Sequence, residues 1–135
     1  MLERIFSRYE GWAMFPVRVA AGWILMAHGS QKLFGFWDGL GLVGFSSFLD
    51  SLKLKPAFLL ALVIALVELF GGLAVLLGAW AREAAFAIAI VEGFLVFMVY
   101  GPHGFFLPNG YEYNVALFAM SLAILFYGPG RGAVR

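Results

Sequence analysis

Four titratable side chains and one amide interrupt otherwise apolar stretches of this chain at what proves to be one depth: His28, Glu68, Glu92, Glu112 and Asn114. Glu68 is the sharpest case, because it sits in the middle of the run from Pro56 to Trp80 and is followed closely by Gly71 and Gly72. An acidic side chain at a bilayer centre costs roughly +2.5 to +3.5 kcal/mol on a translocon scale, so it normally faces a protein interior, finds a partner and marks function. Two cations, Lys32 and Arg18, are within helical reach of the same layer. Such a set can relay protons through its carboxylates and donate hydrogen bonds from His28, Lys32 or Arg18 to a polar ligand atom. Each member also has a plain structural use. Glu68 and Glu92 can be ion-pair members that hold helices together, Arg18 and Lys32 can snorkel to the two interfaces, and His28 can be a hydrogen-bonded packing residue. No metal site is expected, since no second histidine stands at ligand spacing from His28.

The elements that must position these groups are helices in a bilayer. The chain has 135 residues, 63% hydrophobic and 13% charged, with a mean hydropathy of +0.92, well above the roughly 45–50% apolar share of soluble domains. Length allows one domain over residues 1–135, and four spans of about 20 residues would use most of it. A net charge of +1 without a basic cluster argues against nucleic acid. The absence of cysteine excludes a disulfide framework, thiol redox chemistry and thiolate metal ligation. No haem-ligand pair is visible either. The lipid bilayer is the expected partner, and a homo-oligomer is open.

The expected architecture is all-α, an integral membrane four-helix bundle with spans at about 14–34, 56–80, 82–100 and 111–127. Met1 to Gly11, with Glu3, Arg4, Arg8 and Glu10, reads as an interfacial entry segment, and Trp12 and Phe15 as a membrane boundary. A signal peptide fits less well, because no small-residue cleavage site follows the apolar core. Gly35 to Lys55 is too long for a structureless loop, so a partly helical or re-entrant first loop is expected, with Leu42 to Leu52 as an interfacial helix or a lipid-facing lid. Pro56 suits a helix start. Ala81 is read as the hinge between the second and third spans. Gly101 to Gly110 reads as an aromatic cap loop over one end of the bundle. Counting basic residues outside the spans sets Arg4, Arg8, Arg82, Arg131 and Arg135 on one side against Lys53 and Lys55 on the other. That asymmetry predicts a multi-pass plasma-membrane protein with both termini cytoplasmic.

At about 1.5 Å of rise per residue, Glu68 and Glu92 both lie roughly 16 to 20 Å from the cytoplasmic end, and His28, Asn114 and Glu112 come out at about 20 to 22 Å. Lys32 is higher, at about 27 Å, and Arg18 lies about 6 Å from the lower end, so it must point up to join. Helical phase places Arg18, Gly22, Leu25, Gly29 and Lys32 near one line, with His28 flanking it by roughly 80°. Gly72 shares the face of Glu68, and Gly71 is adjacent, so helices can approach closely there. Gly71 and Gly78 are expected to serve packing.

These residues form a pattern: R-x3-G at Arg18 and Gly22, HGSQKLFG from His28 to Gly35, ELFGGLAVLLG from Glu68 to Gly78 followed by Ala81 and Arg82, and GPGR from Gly128 to Arg131. The pattern resembles the DoxX family of small four-span membrane proteins over essentially the whole chain. The resemblance implies a four-helix membrane bundle, and its family name comes from the small membrane subunit of a thiosulfate:quinone oxidoreductase. It carries over Arg18, His28, Gly29, Lys32, Glu68, Gly71, Gly72 and Arg82, whereas Glu92 and Glu112 rest on the depth argument.

Three functions remain in view. One is a quinone-interacting membrane subunit of an oxidoreductase, with a quinone in an apolar slot, His28 and Lys32 or Arg18 as donors and Glu68 or Glu92 as proton relay. It has no autonomous catalytic machinery and needs a soluble or membrane oxidoreductase subunit as partner. The others are a non-enzymatic anchor or assembly protein for a soluble redox partner, and a small proton or solute transporter.

Overall fold

A computed structural model describes residues 1–106 and 110–134, and among these the chain is all-α. Helix α1, Leu2–Phe6, runs into a 3-10 stretch, Ser7–Trp12. Helix α2 is Met14–Phe34, α3 is Gly41–Ser51, α4 is Ala57–Leu77, α5 is Ala81–His103 and α6 is Glu112–Tyr127. Both α4 and α5 are long and apolar enough to cross a membrane, and only 33% and 39% of their most apolar stretches are buried inside the protein. A soluble core helix would be mostly covered. On α4 the uncovered residues include Leu59, Val63, Leu66, Phe70, Leu73 and Leu77, a continuous stripe of helical spacing.

The inter-helix turn is longer than the single-residue hinge read at Ala81. Gly78 ends α4 in the left-handed region at φ +81°, and Trp80 is left-handed at φ +48° before α5 begins at Ala81. The helix expected over 56–80 therefore stops at Leu77, while that expected over 82–100 starts one residue earlier and continues through His103. Neither α4 nor α5 is regular throughout. A π turn occupies Val67–Gly71 and another Leu95–Tyr100. Such turns recur at functional sites because they shift the helical phase of the side chains they carry.

Close approach of α2 to α4 depends on glycine. A Cβ on Gly22 would lie 2.7 Å from the Gly72 carbonyl oxygen, and one on Gly29 would lie 2.5 Å from the Leu69 backbone nitrogen. Gly72 is somewhat less tight, at 2.9 Å from Leu25 and 3.0 Å from Met26, whereas Gly71 meets side chains alone, that of Ile88 first at 3.2 Å. Helix α5 packs along α6, and α3 lies on α4 and α2. The first-loop helix turns one face inward: Phe45 and Leu49 are buried among Ala61, Ile64, Val91, Leu95 and Val99, while Val43 is exposed on the other side. A second apolar cluster joins Leu25, Val75, Ala85, Ile88, Leu117 and Ile124. Glu68 stands between the two clusters along α4, and Glu92 lies beside their junction on α5, between Val91 and Leu95, so polar groups interrupt the interior there.

Part of the loop from Gly101 to Gly110 is described. The backbone nitrogens of Tyr111 and Glu112 donate to the carbonyls of Gly104 and Phe105, and the Phe105 ring packs edge-on against Phe106 and Tyr111. Residues 107–109 of that loop, and Arg135 of the basic tail, lie outside the described residues.

Candidate functional site

A chain of polar groups crosses the interior from α2 to α6. Lys32 Nζ of α2 donates to both oxygens of Glu68 on α4, at 2.7 and 2.8 Å. Glu92 of α5 stands within hydrogen-bonding reach of the Glu68 carboxylate. Its Oε2 accepts from Asn114 Nδ2 of α6 at 2.7 Å. Lys32 is 7% exposed, Glu68 1%, and Glu92 and Asn114 are fully buried, so no member is left to bulk water. Burying such groups singly is costly, and mutual pairing is what makes the layer tolerable. The bookkeeping is incomplete at two atoms: Glu92 Oε1 and Asn114 Oδ1 are buried without a donor.

The local sequence explains the alignment. The HG-x2-K spacing sets His28 and Lys32 one turn apart on α2. Gly29, between them, admits the α4 backbone at Leu69, one residue after Glu68. Glu68 itself lies in the π turn of α4, and Glu92 precedes the π turn of α5 by three residues.

The Lys32 end of the chain opens on a cleft of about 860 Å³ lined by Ile24, His28, Gln31, Lys32, Asp38, Gly39, Leu40, Phe45, Tyr100 and Tyr113. His28 stacks on Tyr113, with ring centroids 4.8 Å apart and planes at 18°. Lys32 Nζ lies 5.3 Å from the centre of the Phe45 ring. An ammonium has three donors, and Glu68 takes two, leaving one N–H beside the cleft. The volume falls within the roughly 300–1,000 Å³ range of small-molecule sites, and the lining mixes aromatic faces with a few polar groups as such sites do.

Not every residue singled out from the sequence joins this group. His28 lines the cleft and stacks on Tyr113 instead of bonding into the polar chain. Glu112 is in the first turn of α6, two positions before Asn114. Arg18 points away from the layer. It is fully buried at the opposite end of α2, where Nη1 donates to the carbonyls of Val75 and Leu76 at 3.5 and 3.2 Å and Nη2 to that of Arg131 at 3.2 Å. There it caps the C-terminus of α4, where a cation is favoured, and ties down the tail. Gly78 belongs to the same corner, against Arg18 and Ala133. Arg82 donates to the Tyr127 carbonyl at 3.2 Å and serves the end of α6 in the same manner.

Tyr100, Tyr113, Gln31 and Asp38 are not singled out by sequence reasoning, and Phe45 lies there only within the interfacial helix expected over Leu42 to Leu52. Tyr113 was the most accessible of them, lying between the two polar residues Glu112 and Asn114.

The DoxX family model matches residues 13–101, which hold α2 through most of α5 and, of the polar chain, Lys32, Glu68 and Glu92. The chain belongs to the DoxX family. No similar curated protein and no similar solved structure was found. Asn114 and Tyr113 lie beyond the matched residues, so a DoxX chain here completes its polar layer with its last helix.

Proposed function

We propose that this DoxX chain is a quinone-interacting small membrane subunit of an oxidoreductase, a four-span bundle with both termini cytoplasmic and the cleft beside Lys32 as the quinone site. The observation that carries the proposal is the join between an aromatic cleft and a buried proton-capable chain: Lys32, with an N–H to spare, is both a wall of the cleft and the end of Lys32–Glu68–Glu92–Asn114. A bound quinone accepts two electrons, supplied by a partner oxidoreductase subunit, and two protons to become quinol. Phe45, Tyr100 and Tyr113 give apolar faces for a planar ring, and Lys32 Nζ, His28 and the tyrosine hydroxyls are the groups available to donate to its oxygens. Behind them Glu68 balances the Lys32 charge, and Glu92 places a second carboxyl within reach of the first. Those groups can pass a proton inward or outward without opening the apolar interior to water.

Lipid extraction of the protein purified in mild detergent tests this reading. Quinone recovered in stoichiometric amount, and reduced in amount from the Tyr113→Ala variant, supports it. Protein that never carries quinone, in any detergent that preserves its helicity, contradicts it.

A second reading is favoured by the opposite end of the molecule, where Trp80 is 82% exposed beside the exposed Arg82 and Glu83. In that reading the turn between α4 and α5 is a dock for a soluble redox partner and the polar chain is glue. Capture of a soluble oxidoreductase that is lost in the Trp80→Ala variant, from a protein that carries no quinone, would favour it over the first.

A further inference from the structure

We propose that Glu92 holds a resident, exchangeable proton on Oε1, directed at Glu68, and that Asn114 is the positioning residue that keeps it there. The inference deepens the proton-coupled reading of the cleft and adds to it the identity of the stored proton. It follows from counting donors. Both Glu68 oxygens face Lys32 Nζ, at 2.7 and 2.8 Å. Glu92 Oε2 is taken by Asn114 Nδ2 at 2.7 Å. Glu92 Oε1 is buried with no donor, although its carboxyl is within hydrogen-bonding reach of Glu68. Two ionised carboxylates have no hydrogen between them, and an ionised carboxylate can only accept. One proton on Oε1 turns that contact into a hydrogen bond and fills the remaining vacancy on Glu92.

The charge count agrees. Among the described residues, the groups facing the pair include Lys32 and His28 from α2, Tyr100 from α5 and Tyr113 and Asn114 from α6. Lys32 is the fixed cation among them, and it offers one positive charge to two carboxylates. A single added proton leaves the buried cluster neutral, as a low-dielectric interior requires. Asn114 settles which oxygen carries it. Its amide donates to Oε2, which makes Oε2 the acceptor and leaves Oε1 for the proton.

The transfer this permits is simple. When the third donor of Lys32 engages a cleft ligand and its hold on Glu68 loosens, the O–H bond on Glu92 Oε1 breaks and an O–H bond forms on Glu68. Glu92 is left as a carboxylate that Asn114 stabilises. No electron moves in this step, and the proton returns when Lys32 does.

Infrared spectroscopy of the ligand-free protein in lipid nanodiscs at neutral pH tests the proposal. The wild type is expected to show the carbonyl stretch of a protonated carboxylic acid, sensitive to exchange into heavy water. Glu92→Gln is expected to remove that band while keeping the fold, since a glutamine amide can accept from Asn114 and donate to Glu68. Asn114→Ala should shift the band, and Glu83→Gln, at an exposed position, should leave it unchanged. A wild type with no such band, or a band that survives Glu92→Gln, overturns the stored proton. An unshifted band in Asn114→Ala overturns the positioning role. Since no quinone is present, a failed quinone site would leave the band intact, and the two readings fail separately.

Discussion

Lys32 and Glu68 hold each other's charge inside an apolar bundle, and their value is best tested by breaking and then removing the pair. Lys32→Met leaves Glu68 buried and unpaired and is expected to cost about 3–5 kcal/mol. Adding Glu68→Leu removes the orphaned charge and should restore most of that loss, because a buried ion pair replaced by apolar groups of similar size is often neutral. Thermal unfolding in one detergent measures both variants. A double variant as damaged as the single one would mean the pair is not what Lys32 contributes. At this scale the sequence was informative about depth and silent about direction. Rise per residue places Glu68 and Glu92 level, and the two carboxylates come within hydrogen-bonding reach. Phase placed Arg18 on the same line as Lys32, but 14 residues, about 21 Å of helix, separate them. Arg18 turns Nη1 and Nη2 onto nearby carbonyls, which spacing alone does not reveal.

The helices meet where glycines allow it, and α2 against α4 is the contact that sets Lys32 opposite Glu68. Gly29→Ala drives a methyl into the backbone of Leu69 and is expected to cost at least about 1–3 kcal/mol, the range for overpacking. Gly71→Ala meets side chains and no backbone, Ile88 at 3.2 Å and Val67 at 3.9 Å, and should cost less than about 1 kcal/mol. Unfolding midpoints of the two variants decide this, and equal losses would show that backbone approach is not the controlling feature. Helix extents were largely legible from apolar runs and glycine or proline stops, with α4 ending at Leu77 in place of Trp80. The π turns were not. Neither Val67–Gly71 nor Leu95–Tyr100 contains proline, and a phase argument at a fixed 100° per residue cannot register the extra residue each turn takes up. That is why Tyr100 was read as a helix end and missed as a wall of the cleft.

The whole molecule presents an apolar exterior around a polar layer, an arrangement suited to lipid outside and proton chemistry within. Leu66 stands near the middle of the uncovered stripe on α4. Leu66→Lys is expected to cost roughly 3–4 kcal/mol of insertion free energy and to reduce the membrane-integrated fraction after alkaline extraction. Unchanged integration would mean that this face is covered by protein, as in a homo-oligomer. The central claim, that the cleft beside Lys32 takes a quinone, is tested most directly by photo-cross-linking with an azido-quinone in nanodiscs, followed by mass spectrometry of the labelled peptides. Adducts concentrated on the peptides that hold His28 to Lys32, Phe45, Tyr100 and Tyr113, and competed away by unlabelled quinone, are the expected result. Labelling spread over lipid-facing residues such as Phe70 and Phe86, with no competition, would contradict it.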